Sequence, residues 1–422
     1  MSHPETAILY ASPDDRIFVI DIPTSIQLAQ GRTQRLLSQE PRVTPYPSIE
    51  PKTAKARTNV LESGQDISLF TLYNIYRPRL TTTGLLGDDT AREATITNAL
   101  THISNLTIPF LHPRATPKTH PKLPPTLFPS LLTAAQTIHA ATKPSSSHDK
   151  ATWAPWTPHH INNTDSSLPL YIRTPPPPPS TSTSDHTPTV QTFTLPPNSS
   201  TTQTTLPLPT PTHAPTPTTG FHLITLDAPW PNRSARRAHH YATTRLKDVR
   251  TLLSGLNLDA HMAYDGRTVV GVWVTNSLAV REIVCGESEG SMNGKGGGAG
   301  DAGWLAECGL RVFEEWVWVK TTSAGEAVCS VESVWRKPYE IFVLAREFDG
   351  EEGEEEEEVV RRVIFGCADL HSRKPHLKEL LERVVDLPDG YEGLEIFARG
   401  ATAGWHAWGD EALLFNWDGF WE

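Results

Sequence analysis

The sequence contains only 4 cysteines, Cys285, Cys308, Cys329 and Cys367, and no two form a Cys-x-x-Cys pair. That spacing excludes a zinc ribbon or a disulfide framework and fits a reducing compartment. Long apolar runs are missing as well. No stretch approaches the ~18–20 residues that span a bilayer, so no membrane association is expected. The first residues, MSHPETAILYASPDDR, have no basic segment followed by an apolar core, so no signal peptide is expected. A phosphate loop is also absent. Gly294-Lys295-Gly296-Gly297-Gly298 lacks the G-x-x-x-x-G-K-[ST] spacing and no clear helix follows, so residues 286–303 read as a flexible insertion. Net positive charge is lacking too, the formal charge being -11. Seven of the acids crowd into residues 351–358, a run that reads as a solvated loop over 349–358.

Proline, by contrast, is plentiful, with 37 in 422 residues. Much of it lies in a Pro/Thr/Ser tract over 174–219, a composition with too little apolar surface to offset chain entropy. Three parts follow: an N-terminal accessory region (1–165), a Pro/Thr/Ser-rich linker (166–219) and a catalytic domain (220–422). Within the first, Ala7–Tyr10 and Arg16–Ile22 read as strands around the turn Ser12-Pro13-Asp14-Asp15. Helical spacing marks Thr90–Ile103 and Leu127–Thr142, and Trp153 and Trp156 are expected to pack on the catalytic domain. No chemistry is assigned to this region.

Phe221–Trp230, FHLITLDAPW, carries the clearest chemical signal. An apolar run between breakers fits a buried parallel strand, and in open α/β sheets chemistry sits beyond the carboxyl ends of strands. Asp227, Ala228, Pro229 and Trp230 would occupy such an end. The amine of adenine is a poor nucleophile until acceptors engage its N–H bonds. An ionised Asp227 accepts through two oxygens, the Ala228 carbonyl is a second acceptor, Pro229 stiffens the turn, and Trp230 offers a face for the base. The alternative is an ordinary strand-to-loop turn. Just downstream, Arg233, Arg236 and Arg237, with His239, His240, Arg245 and Lys247, suit phosphates beside an extruded base, or form a mobile polar loop.

From here on the pattern is α/β. Arg245–Gly255 is predicted as a helix with Leu246, Val249, Leu252 and Leu253 on its apolar face. Strands are predicted over Thr268–Val274, Val312–Lys320, Ile341–Ala345, Val363–Phe365 and, last, Tyr391–Phe397. Trp273 and Asn276 fall at a strand's carboxyl end, with Trp273 read as core. Trp316 and Trp318 share one face and also read as core. Asn276, Lys320 and Lys337 are the substrate-contact candidates of this half. Arg373 and Lys374 precede a helix with Pro375 in its first turn. Basic residues at a helix start oppose the dipole and hint at an anionic ligand.

Asp227-Ala228-Pro229-Trp230 resembles the Asp-Pro-Pro-Trp motif of the eukaryotic N6-adenine methyltransferases. Further blocks resemble the methyltransferase-like protein four branch in the family's order. They are Trp273–Asn276, Glu315–Thr322, Arg336–Glu340, His371–Pro375, Leu394–Arg399, Gly404-Trp405 and Trp408-Gly409. The resemblance implies a circularly permuted, doubly wound Rossmann-like fold that uses S-adenosylmethionine and no metal. Its substrate would be adenine in RNA or DNA, its location nuclear and possibly cytoplasmic, with a protein partner left open. By the same resemblance, Lys374 holds the cofactor carboxylate, Glu395, Phe397 and Arg399 lie along its adenosine, Asp227 is shared with it, and Gly409-Asp410-Glu411 match the family's Gly-Asn-Glu with Asp410 in place of Asn. Ala228 stands where the family has proline, which keeps the carbonyl but loosens the turn. The second reading is a degenerate RNA-binding scaffold on the same fold.

Overall fold

The computed structural model describes residues 5–47, 89–122, 127, 139–141, 154–174, 189–206, 219–231, 244–286, 303–333, 336–347, 358–370 and 373–422. Its centre is a sheet of eleven strands. In chain order these are β1 (Ile8–Ala11), β2 (Ile17–Ile20), β5 (His159–Asn162), β8 (Ser199–Gln203), β9 (Leu223–Leu226) and β10 (Val269–Val274). They continue with β11 (Leu310–Thr321), β12 (Tyr339–Glu347), β13 (Val360–Cys367), β14 (Gly393–Ile396) and β15 (Trp405–Gly409). The spatial order is β1-β2-β13-β11-β12-β10-β9-β14-β15-β8-β5. β2, β13, β11, β10, β9, β14, β15 and β8 run the same way, and β1, β12 and β5 oppose them. This is a mixed α/β architecture with a mostly parallel sheet, consistent with the doubly wound methyltransferase fold expected from the sequence.

Alternation along the central strands explains the two layers. Ile224, Leu226, Val270, Val272, Val274, Val317, Val319, Ile341 and Val343 enter one core, joined by Val249, Leu252 and Leu253 of helix α3 (Leu246–Ser254). Leu223, Trp273, Trp316, Trp318, Phe342 and Leu344 enter the opposite core, against helices α1 (Ile22–Ala29) and α6 (Lys378–Val384). A strand buried on both faces must be apolar at nearly every position, which is what β9 and β10 show. Trp316, Trp318 and Trp273 are therefore core residues, as their spacing suggested. Leu246 is the exception on α3, being solvent-exposed at the helix start.

Several expectations need correction. Residues 1–165 do not stand apart, since β1, β2 and β5 are strands of the central sheet. The second of the early strands stops at Ile20, because Asp21 caps α1 by accepting from the Thr24 N–H at 3.1 Å. His139–Ala141, predicted helical, is a strand, β3, in a second antiparallel sheet ordered β4-β3-β6-β7. Its other members are β4 (Ala154–Pro155), β6 (Leu168–Thr174) and β7 (Thr189–Leu195). The expected linker thus contains β6, β7 and β8. Phe193 and Leu195 supplied the apolar alternation that its proline content concealed, and both are buried with Trp156 and Leu413. Tyr391–Phe397 is followed by a further strand, β15. Pro375 lies ahead of α6 rather than in its first turn, since the helix starts at Lys378. Trp153, the insertion at 287–302 and the acidic loop at 348–357 lie outside the described residues.

Two devices bind the N-terminal region to the sheet. Helix α2 (Asp89–Ser104) docks through fully buried Arg92, which donates to Glu315 on β11 at 2.6 and 3.0 Å. Arg361 pairs with the same carboxylate at 2.6 Å. At the other end, Arg35 exchanges two backbone hydrogen bonds with Glu422, and buried Asn416 bonds to Gln30, Thr194 and Ala401. Removing one partner of a buried pair is expected to cost about 3 kcal/mol. Arg92→Met should therefore lower the urea midpoint clearly, whereas Arg35→Met, which breaks an exposed pair with Glu422, should change stability by less than about 1 kcal/mol. Urea unfolding of the two variants beside the unaltered protein checks this.

Candidate active site

Beyond the carboxyl ends of β9 and β14 lies a cleft with some 680 Å³ of space, part of it open to solvent. Asp227 follows the last residue of β9. Thr225, Leu226, Trp273, Lys374, Pro375 and His376 line the same cleft, and Glu395, Phe397, Arg399 and Thr402 close its far side. Ile26 and Gln30 of α1 contribute a wall from the N-terminal region.

An alternating chain of charges crosses the floor. The Lys374 ammonium sits 2.8 Å from Asp227 Oδ1 and 3.2 Å from Glu340 Oε2, and Lys320 is 2.5 Å from Glu340 Oε1. Burial of the Lys374 ammonium is outweighed by Asp227 and Glu340, which hold its pKa above that of an ordinary lysine. Burial likewise works against the Glu340 carboxylate, but Lys374 and Lys320 pull it down to about 2. Both ammoniums also lie over aromatic faces, Lys374 at 4.6 Å from the Trp273 ring and Lys320 at 4.9 Å from Trp318. Glu395 is different. Burial, with the Asp227 charge nearby, pushes its carboxyl up to about 8. A protonated carboxyl both donates and accepts, which suits vicinal hydroxyls. His376, held neutral by burial with a pKa of about 3, shares a 2.8 Å hydrogen bond with Thr402 Oγ1.

The turn after β9 is tight. The Trp230 N–H donates to the Ala228 carbonyl at 2.7 Å, leaving that oxygen a second lone pair, and the Thr244 N–H donates to the Pro229 carbonyl at 2.7 Å. Phe397 turns the chain after β14 with a φ of 60°, a left-handed conformation that a bulky residue adopts only at a cost of roughly 1–3 kcal/mol. Such strain collects at ligand clamps, and here it carries Arg399 round to the cleft.

The structure brings together Asp227, Lys374, Glu395, Phe397 and Arg399 in the cleft; Lys320 joins them only through Glu340, Ala228 is buried in the turn beside Asp227, and several other candidates lie elsewhere. Trp230, expected to offer a face to a base, is only 5% exposed and its indole N–H donates to the Trp273 carbonyl at 2.6 Å. An indole with its N–H satisfied gains most by burial, so Trp230 braces the turn from inside the core. Lys337 is mostly buried and pairs with Glu93 of α2, an ion pair that fastens the helix instead of a substrate. Asp410 is exposed and outside the cleft, while Glu411 is engaged by Arg399 at 2.9 Å. Asn276 donates to the Tyr339 carbonyl at 2.5 Å on the rim. Arg373, expected to face an anion, finds one internally, 2.8 Å from Asp369. Arg233, Arg236, Arg237, His371 and Ser372 lie outside the described residues.

Glu340, His376, Gln30 and Thr402 were not assigned a role from sequence. An acid at the second position of an otherwise apolar strand was the available signal for Glu340. Gln30 carried none, because its place depends on the fold alone. Among the described residues no group of three His, Cys, Asp or Glu side chains converges as metal ligands, and no helix is long and apolar enough to cross a membrane.

Comparison with known proteins adds the following. Residues 293–411 match the profile of the MT-A70 family. The chain is 41% identical over 204 residues to the N6-methyladenosine RNA methyltransferase MTA1 of Cryphonectria parasitica, covering 48% of this chain and 54% of that one. It is 38% identical over 198 residues to the protein of the same name from Pyricularia oryzae, covering 46% and 48%. It is 30% identical over 205 residues to the N(6)-adenine-specific methyltransferase METTL4 of Mus musculus, covering 46% and 38%. The chain thus spans about half, or less, of the length of these curated relatives.

The Glu395 carboxyl makes a pH prediction. The folded chain keeps this proton to about pH 8, whereas the unfolded chain releases it near its ordinary value of 4.5. The unfolded state binds fewer protons in that window, so Glu395 makes stability fall as pH rises from about 4.5 to 8. Glu395→Gln should remove that slope, gaining on the order of 1–3 kcal/mol relative to the unaltered protein between pH 5 and 8. Denaturant unfolding at pH 5, 6.5 and 8 reads the difference.

Proposed function

We propose that the chain, whose residues 293–411 match the MT-A70 family, is an S-adenosylmethionine-dependent methyltransferase acting on N6 of adenine in RNA. The observation that carries the reading is the meeting of Asp227, Lys374 and Glu395 in one cleft at the ends of β9 and β14. The names of the two fungal relatives, both N6-methyladenosine RNA methyltransferases, favour RNA over DNA.

The residues fit the cofactor. A partly exposed ammonium, a carboxyl that keeps its proton at neutral pH and a strained aromatic share the cleft. Lys374 would hold the amino-acid carboxylate, Glu395 the ribose hydroxyls, and Phe397 and Arg399 the adenosine end. When bound, S-adenosylmethionine supplies an electrophilic methyl group.

The chain's own residues then have three tasks. Asp227 and the free lone pair of the Ala228 carbonyl accept from the adenine amine and aim its nitrogen lone pair. The hydrogen bonds of the 228–230 turn hold that carbonyl in place without the family's second proline. Glu340 remains beside Lys374, so the ammonium keeps a counter-charge when Asp227 turns to the amine. Catalysis on this account is positioning plus preorganised electrostatics.

Calorimetric titration with S-adenosylmethionine tests the reading, together with methyl transfer to adenine-containing RNA oligonucleotides. The full chain should bind the cofactor and methylate the RNA. Lys374→Ala should weaken cofactor binding at least tenfold, or about 1.4 kcal/mol. Asp227→Ala should lower the rate by on the order of 10²–10³, the scale for losing one preorganised polar partner. A chain that binds no cofactor sinks the reading and points to a scaffold.

A further inference from the structure

Residues 42–46 of the N-terminal region lie against the turn that follows β11. The Ser323 N–H donates to the Arg42 carbonyl at 2.8 Å, and the Tyr46 N–H donates to the Val328 carbonyl at 2.7 Å. This attachment stacks two guanidinium groups on one phenol ring. Arg42 lies 3.7 Å and Arg336 4.4 Å from the centroid of Tyr46. Arg42, Tyr46 and Arg336 are all exposed. Neither arginine has a carboxylate partner among the described residues, in contrast to Arg92, Arg361, Arg362 and Arg373.

Two like charges gathered on one ring repel each other. The ring quadrupole offsets part of that repulsion, and an anion bridging the two forks would remove the rest. Arginine guanidiniums are the side chains best matched to phosphate oxygens, and the phenol ring between them holds the two forks in place.

The location ties this cluster to the cleft. The Val328 N–H donates to the Lys320 carbonyl at 3.0 Å, and the Lys320 ammonium bonds to Glu340, which bonds to Lys374. The cluster is therefore on the same rim of the sheet as Asp227. Three inter-strand steps, β9 to β10 to β12 to β11, a span of about 14 Å, separate the strand ahead of Asp227 from the one whose following turn carries the cluster. That is beyond the base being modified and within reach of the strand that carries it.

We propose that Arg42, Tyr46 and Arg336 form a binding platform for the phosphodiester backbone of the RNA strand whose adenine enters the cleft. The proposal rests on the RNA-methylating activity proposed above. It assigns to the N-terminal region a substrate-binding task, and it explains how an acidic protein grips a polyanion through a local pair of guanidiniums that have no carboxylate partner among the described residues.

The test is fluorescence anisotropy of the full chain with single-stranded, adenine-containing RNA at several salt concentrations, beside Arg42→Ala/Arg336→Ala and Tyr46→Leu. Cofactor binding is measured calorimetrically on the same samples. The double variant should lose on the order of tenfold in RNA affinity, and its salt slope should fall by roughly 1.4, the value for two single-strand phosphate contacts. Cofactor affinity should not change. Tyr46→Leu should weaken binding, and Tyr46→Phe should restore it. Equal RNA affinity and salt slope in the double variant and the unaltered chain overturn the platform, as does an unaltered chain that binds no RNA. Loss of cofactor binding or methyl transfer by the unaltered chain would instead overturn the proposed activity, and an RNA affinity that still depends on Arg42 and Arg336 would leave the platform standing.

Discussion

A sheet covered on both faces tolerates a charge along its strands only where counter-ions are built in, as Arg92 and Arg361 are for Glu315, and otherwise leaves polar chemistry the ends of its strands. Ile224 and Leu226 point into one core, and Leu223 points into the other. A charge along their length would be buried without water or counter-ion, at a cost that no fold tolerates. The first place where a carboxylate can exist is one residue past Leu226, and Asp227 is there. Glu340 obeys the same rule from the opposite direction, since β12 runs antiparallel and its beginning lies at the same rim. The charged side chains of four strand ends converge there because they have no other outlet.

Convergence brings its own requirement, since the rim is itself half-buried. Lys374 and Lys320 meet it by alternating with Asp227 and Glu340, so each charge has an opposite neighbour within hydrogen-bond reach. Glu395 has no such cation and answers the same pressure by keeping its proton. Two carboxylates lining one cleft thus meet different surroundings, Asp227 paired with an ammonium and Glu395 pushed by burial to keep its proton. The difference comes from which of them Lys374 reaches.

What was legible in the sequence follows from how local each signal is. The strands β9, β10, β11, β12 and β13 announced themselves because burial on both faces leaves an apolar run between polar breakers. Asp227 was legible as the acid ending such a run, and α3 as a 3.6-residue stripe. The strands within 168–203 were hidden because their inward residues, such as Phe193 and Leu195, alternate with threonines amid prolines. Trp230 was read as a platform because an aromatic beside such a turn serves equally well as a platform or as a brace, and only its burial and its N–H bond to Trp273 place it inside the core. Gln30, Thr402 and Lys337 owe their roles to partners that lie far away in sequence, so no pattern within their own segments could reveal them.

The stitching of the chain's two ends has a consequence for how the cleft comes into being. Gln30, on the cleft wall, is fixed by Asn416, which lies 386 residues further on. Contacts of such long range form late, because a long loop must close before they can contribute. During synthesis the turn at Asp227 emerges well before Asn416, which braces the wall at Gln30. The cleft wall at Gln30 is therefore braced only after Asn416 is free of the ribosome, and a chain cut ahead of Asn416 would hold the acids and ammoniums of the rim while lacking that brace.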